Sequence, residues 1–249
     1  MNTIYSEIEY MMFTMIAALY DKQQLISEYS DYIKFIISTV EAGINLFHLN
    51  SPNRLEIIKS SSIKPNNLIR ELIEPDSKYL RHISENEIEL LIQNGFEYCT
   101  YEFLNYPSKF KSIDSPPLFL HWKGNFSKAV GDKKHVAIIG SRITDPKYAR
   151  AIALQAGQLM AENMVWNHSG LALGCDTAGH CGGIAAYKHG YAECAFTGGI
   201  LGNGLLSSVY PQENSSLAEE IIRCGGYLLS EMPPSMIVKR TWLILRDRI

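Results

Sequence analysis

The sequence predicts an α/β fold, a parallel sheet with helices on both faces preceded by a small helical N-terminal domain. Three observations carry that reading. From His135 onward short apolar runs alternate with helical stretches, the mark of βαβ units on a parallel sheet. Before about residue 95, apolar positions recur at helical spacing, as in Ile33, Phe35, Ile36 and Val40, or Ile88, Leu90 and Leu91. A chain of 249 residues, 46% hydrophobic and 20% charged, is also long and apolar enough to bury a core of that size.

Residues 1–95 form the helical domain, punctuated by Gly43, Pro52, Pro65 and Pro75. They hold no glycine-rich loop and no polar cluster, so a packing or interaction module is expected there. The apolar stretch Met11 to Tyr20 falls well short of the ~20 residues a bilayer requires, and acidic residues precede it, so neither a membrane span nor a signal peptide is expected. Residues 96–134 read as a linker or extension packing on the next domain. Phe96 to Tyr101 alternates like a short strand, and Tyr106 to Asn125 is rich in Pro, Lys and aromatics and contains the apolar run Leu118 to Trp122.

Residues 135–249 carry the α/β pattern. The first strand is placed at Val136 to Ile139, wholly apolar as a parallel strand buried on both faces would be. A helix over 146–163 follows, with Pro146 in its first turn. The next strand, about Met164 to His168, feeds a loop from Ser169 to Asp176 and a helix to about His189. A third strand, about Glu193 to Thr197, feeds a glycine-rich loop. Ser216 and Glu219 announce a further helix as a Ser-x-x-Glu capping box, Gly225 and Gly226 stop it, and Tyr227 to Ser230 forms another strand.

Charge and cysteine usage narrow the function classes. The net charge of −3 divides unevenly: residues 1–100 hold 8 Lys/Arg against 14 Asp/Glu, and residues 101–249 hold 15 against 12. The α/β half is therefore mildly basic, and the field that draws an anionic partner is local. Five cysteines without C-x-x-C spacing predict free thiols in a reducing compartment, with no disulfide framework and no zinc site.

Ligands on open α/β sheets bind at the carboxyl ends of the strands, which here lead into three small, polar or glycine-rich loops. These are Gly140-Ser141-Arg142, then Ser169-Gly170-Leu171-Ala172-Leu173-Gly174, then Gly198-Gly199-Ile200-Leu201-Gly202-Asn203-Gly204. Glycine lets backbone N–H groups approach an oxyanion, helix N-termini add partial positive charge, and Arg142 supplies a planar fork for phosphate. The three loops together predict a phosphate site.

At these residues the chain resembles the DprA/Smf DNA-processing family. V-A-I-I-G-S-R, S-G-L-A-L-G-C-D-T-A-G-H, G-N-G-L-L-S-S-V-Y-P-Q-E-N and L-L-S-E-M-P-P come in the family's order and spacing, as does the preceding Y-P-S-K-F-K-S-I-D-S-P-P-L-F-L-H-W-K-G-N. The resemblance covers about residues 98–249. It implies a Rossmann-like domain in a cytoplasmic protein that binds single-stranded DNA, protects incoming DNA and assists loading of the RecA recombinase in natural transformation. It implies no catalysis, no cofactor and self-association as a homodimer. The phosphate- and DNA-binding positions it implies are Gly140, Ser141, Arg142, Ser169, Gly170, Gly174, Gly202, Gly204, Arg246 and Arg248, with Asp176 and His180 holding the loop in shape. The chain departs from the pattern in two places. Extra residues between Cys194 and Gly204 reshape the third loop, and Leu243 to Ile249 places Asp247 between the two arginines and then ends, where family members continue. A member lacking the C-terminal part of its domain is therefore expected.

Related Rossmann-like enzymes hydrolyse nucleoside monophosphates with a P-G-G-x-G-T-x-x-E loop. Thr197 to Gly202 resembles it only in part, and Ser207 and Ser208 stand near where its glutamate belongs. A nucleotide sensor is a further alternative. Cys175, Asp176, His180 and Cys181 lack metal-ligand spacing, and His168 beside Ser169 lacks a nucleophile elbow, so both groups read as loop architecture. Trp166, Tyr187, Tyr191 and Tyr210 are candidates for stacking on bases, Tyr210 above all because it borders the third loop. Lys239 and Arg240, like Arg246 and Arg248, read either as a DNA track or as a solvated tail.

Overall fold

A computed structural model describes residues 3–20, 25–131, 133–142 and 148–249. The chain folds into an α/β architecture in which a six-stranded, mostly parallel sheet is flanked by helices. The N-terminal part consists of α1 (Glu7–Leu19), α2 (Leu25–Glu41), α3 (Ser51–Ser60), α4 (Asn67–Arg70) and α5 (Ser77–Gln93). A Ser6–Glu9 capping box starts α1, the Ser6 hydroxyl accepting from the Glu9 N–H while the Glu9 carboxylate accepts from the Ser6 N–H at 2.8 Å. The run Met11–Ala18 is buried in the middle of this helical part, which accounts for its apolar character. Among the described residues no helix is long and apolar enough to cross a membrane.

The joint between the two parts belongs to the sheet. β1 (Glu97–Thr100) pairs antiparallel with β2 (Phe119–Gly124), and β2 pairs antiparallel with β6 (Tyr227–Ser230). Short helices α6 (Ser108–Lys111) and α7 (Phe126–Ala129) flank β2 in the chain. The parallel strands are β3 (His135–Val136), β4 (Trp166–Ser169), β5 (Thr197–Leu201) and β6, giving the order β1-β2-β6-β5-β4-β3. The crossovers are α8 (Ala149–Glu162), α9 (Cys175–Lys188) and α10 (Ser215–Arg223), and α11 (Arg240–Arg246) follows β6. β6 shows how both faces are covered. Leu228 packs with Ile184 of α9 and Ile221 of α10, while Tyr227 and Leu229 join Phe126 of α7 and Tyr106 on the other side.

Several expected elements move. β3 is the sheet edge, so Val136 is 44% and Ile139 76% exposed instead of buried on both faces. Only Ile138 of that run points inward, its N–H donating to Asn167 Oδ1 at 3.1 Å. β4 starts at Trp166, and Met164 sits in a turn with φ 57°. β5 lies four residues later than expected, so Gly198 and Gly199 are strand residues and not loop. A Cβ on Gly198 would enter the Tyr227 ring, and one on Gly199 would meet Leu228, so close approach of β6 overrides glycine's poor strand propensity. The capping box at Ser216 and Glu219 does not form, because α10 begins at Ser215 and its N-cap Asn214 makes no side-chain cap. The Asn214 amide instead donates to Leu171 O at 2.8 Å and Thr177 Oγ1 at 2.9 Å. Gly225 ends α10 with φ 82°, in the left-handed conformation a helix stop needs. Pro146 and the start expected for its helix lie outside the described residues.

Candidate nucleic-acid interface

The carboxyl end of β3 leads into Gly140, Ser141 and Arg142, all exposed. This loop lies on the N-terminus of α9. A Cβ on Gly140 would meet Cys175 Sγ, and one on Gly174, whose φ is 87°, would meet the Ser141 carbonyl oxygen. α9 runs for 14 residues from Gly174, which has no side chain to cap it; the Thr177 N–H is taken by the Ala172 carbonyl at 3.2 Å, and the positive end of the macrodipole lies beside the Arg142 backbone. Among the described residues Arg142 makes no hydrogen bond or ion pair.

The second loop is held from inside. Asp176, in the first turn of α9, accepts the N–H groups of Gly170 at 3.0 Å and Ala172 at 3.3 Å through one carboxylate oxygen. Burial raises its pKa, and those two N–H bonds counter part of the rise. His180 is fully buried between Ser169 Oγ at 2.9 Å and Thr197 Oγ1 at 2.7 Å, and burial pushes its pKa down to about 4, so it stays neutral. Asp176 and His180 thus hold the loop in shape, while Ser169 and Gly170 do not offer the free donors expected of them. A serine against a histidine is also the layout of an activated nucleophile. Here Ser169 is 5% exposed, the imidazole is too weak a base, and Thr197 brings no negative charge to orient it.

His168 turns away from Ser169 altogether. It is hydrogen-bonded to His135 and to the Tyr227 hydroxyl, and burial pushes its pKa down to about 3. Among the described residues no group of three or more His, Cys, Asp and Glu side chains is placed to hold a metal ion.

The third loop and the C-terminal arginines require correction. Gly202 and Gly204 are buried, Gly202 against Leu243 of α11 and Gly204 against the carbonyls of Pro233 and Pro234, with its N–H donating to Met236 O at 2.8 Å. These glycines admit neighbouring chain, not an anion. Arg246 is buried and donates to Gly170 O at 2.9 Å and Ile200 O at 2.5 Å, tying the ends of β4 and β5 together. Arg248 is ion-paired with Glu231, donates to Ser115 O at 2.8 Å, and lies over the Tyr29 ring. Neither arginine is a solvated tail, and the guanidinium of Arg248 is committed to the interior.

What the fold does bring together is a cleft of about 100 Å³ bordered by Arg142, Gly170, Ala172, Leu173, Tyr210 and Leu243, with Pro211 and Arg246 closing it. Tyr210 is 43% exposed. Its position beside the third loop was the one readable signal, whereas Leu243 gave none, because only the packing of α11 brings it there. Three larger cavities among the described residues, of about 450, 330 and 470 Å³, have neither Arg142 nor Tyr210 in their walls. A polynucleotide backbone runs over a surface and needs no enclosed volume, so size does not select among them.

Residues 97–249 match the model of the DNA recombination-mediator protein A family. The chain is 25% identical over 148 residues to the protein Smf of Borreliella burgdorferi, a match covering 58% of this chain and 43% of that relative, so less than half of the relative's length is represented. In fold it is similar to DNA processing protein A of Streptococcus pneumoniae, with a TM-score of 0.67, 22% identity and coverage of 98% of this chain and 74% of the other. A DNA processing protein A from Helicobacter pylori aligns with a TM-score of 0.48 at 24% identity, over 61% of this chain and 63% of that one.

Proposed function

The chain belongs to the DNA recombination-mediator protein A family, and from that premise we propose that it binds single-stranded DNA without catalysis, its backbone crossing the cleft beside Arg142. One observation carries the reading. An exposed guanidinium, unpaired among the described residues, stands where the N-terminus of α9 and the carboxyl ends of β3 and β4 face the same space, with an exposed tyrosine on the far rim. A phosphate takes the guanidinium and the helix dipole, and a neighbouring base takes the Tyr210 ring. No element of this site reads base edges, so binding is expected to be indifferent to sequence.

In this reading the protein acts in the cytoplasm, protects incoming single strands and assists RecA loading during natural transformation. A homodimer belongs to the same reading. The competing class is a nucleotide hydrolase. Against it stand the burial of Thr197–Leu201 as strand β5, where that enzyme's loop would have to lie open, and the serines Ser207 and Ser208 near where its glutamate belongs. An electrophoretic shift with oligonucleotides, run beside a nucleoside monophosphate hydrolysis assay, separates the two. A shift without released base supports binding, and released base without a shift overturns it.

A further inference from the structure

At the amino ends of β4, β5 and β6, on the edge of the sheet opposite the Arg142 cleft, lies a groove of about 470 Å³. Trp166 opens β4, Phe196 precedes β5, and Tyr187 comes from the last turn of α9, so three aromatic residues line it. Lys128, Lys133 and Arg223 supply positive charge, and Glu193 is the one carboxylate among the residues that line it. Both lysines are exposed and carry no ion pair among the described residues, while Arg223 shares Glu220 with Lys188. Trp166 is 2% exposed, and its indole Nε1–H finds no acceptor among the described residues. A buried donor left without a partner is costly, and a ligand that supplies the acceptor removes that cost. Tyr187 is 39% exposed and makes none of the ring contacts that fix Trp166 and Phe196 against each other.

We propose that this groove holds a nucleotide unit, either a free nucleotide or one residue of a strand. The planar base lies against Tyr187 with an acceptor edge toward Trp166, an exocyclic amino group has Glu193 for acceptor, and the phosphate lies between Lys128 and Lys133. The parallel strands separate the groove from the Arg142 edge by four to five residues, about 13–17 Å at the rise of a β-strand. A single nucleotide therefore cannot touch both places, and a longer strand can. In its strand form the inference rests on the single-strand reading above.

The test uses the full chain, the double variant Lys128→Ala/Lys133→Ala, Tyr187→Ala and Arg142→Ala, with deoxycytidine 5′-monophosphate and oligodeoxycytidylates of about 6 and about 25 nucleotides as probes. If the groove serves a strand, the lysine variant loses about tenfold in affinity for the longer oligonucleotide, with a shallower salt dependence, and leaves the shorter one unchanged. Tyr187→Ala then weakens the longer probe as well, with no change in melting temperature. If the groove serves a free nucleotide, the same variants lose binding of the monophosphate while both oligonucleotides bind as before, which also supports it. Unchanged binding of all three probes by these variants, when Arg142→Ala still weakens both oligonucleotides, overturns the groove and spares the single-strand reading. If the unaltered protein binds none of the probes, both fall.

Discussion

Arg142 stands exposed at the end of β3 without a partner among the described residues, whereas Arg248 is packed between Glu231, Ser115 and Tyr29. The same side chain serves two purposes, and substitution separates them. Arg142→Ala is expected to cost about 1.5–3 kcal/mol of oligonucleotide binding, the size of a hydrogen bond to a charged group, and to leave the melting temperature where it was. Titration and a thermal melt of one sample check this, and a folded variant with full affinity would contradict it. Arg248→Ala is expected to destabilise the fold by about 3–5 kcal/mol, because Glu231, 2% exposed at its side chain, loses its ion-pair partner. A denaturant titration decides, and a loss within 0.5 kcal/mol, roughly the range of an ordinary surface substitution, would show that Arg248 is not a structural tie. The sequence named both arginines as DNA-binding positions but left Arg248 open between a DNA track and a solvated tail, since a short basic run looks the same whether it ends in solvent or against a buried carboxylate. Arg142 was legible because it directly follows an apolar run. The pairing of Arg248 with Glu231 was not, because 17 residues and the whole of α11 separate the partners.

At the level of elements, alternation of apolar runs and helical stretches placed α8, α9, α10 and β6 within a few residues, while β5 was placed four residues early. The displaced strand has a specific cause. Thr197-Gly198-Gly199 reads as a turn, yet the Tyr227 ring lies where a Cβ on Gly198 would be. Glycine as a cradle for an anion and glycine as room for a neighbouring ring are identical in sequence. The strands and helices also share a set of buried neutral imidazoles: His121 on β2, His168 on β4 and His180 on α9, with burial holding their pKa values at about 4, 3 and 4. Unfolded histidine takes up a proton near pH 6.5, so between that value and the folded pKa only the unfolded chain binds protons, and stability falls as pH falls. The melting temperature is expected to be level above about pH 7 and to drop between roughly pH 6.5 and 5, before unfolded carboxylates titrate. A level melting temperature down to pH 5 would place these histidines in contact with water.

For the molecule as a whole, the helical part and the sheet share one core. Leu118, Phe119, Met232, Trp242 and Leu245 pack in the same cluster as Tyr10, Phe13, Tyr32 and Ile36. The family match begins at residue 97, but removing residues 1–96 would expose that face. The fragment 97–249 is expected to bind a hydrophobic dye and to melt without a cooperative transition. A sharp transition comparable to the full chain would show that the sheet is self-sufficient. None of this was readable from residues 1–95, where helical periodicity marks an apolar face without saying what covers it. The central claim is that the basic strand edge at Arg142 takes the backbone of single-stranded DNA whatever its sequence, and salt tests it most directly. Affinities for oligonucleotides of unrelated sequence, measured between roughly 50 and 300 mM salt, should coincide and fall together along a straight line of log affinity against log salt, with a slope near −0.7 for each phosphate neutralised. An affinity that does not change with salt, or that differs widely among sequences, would contradict it.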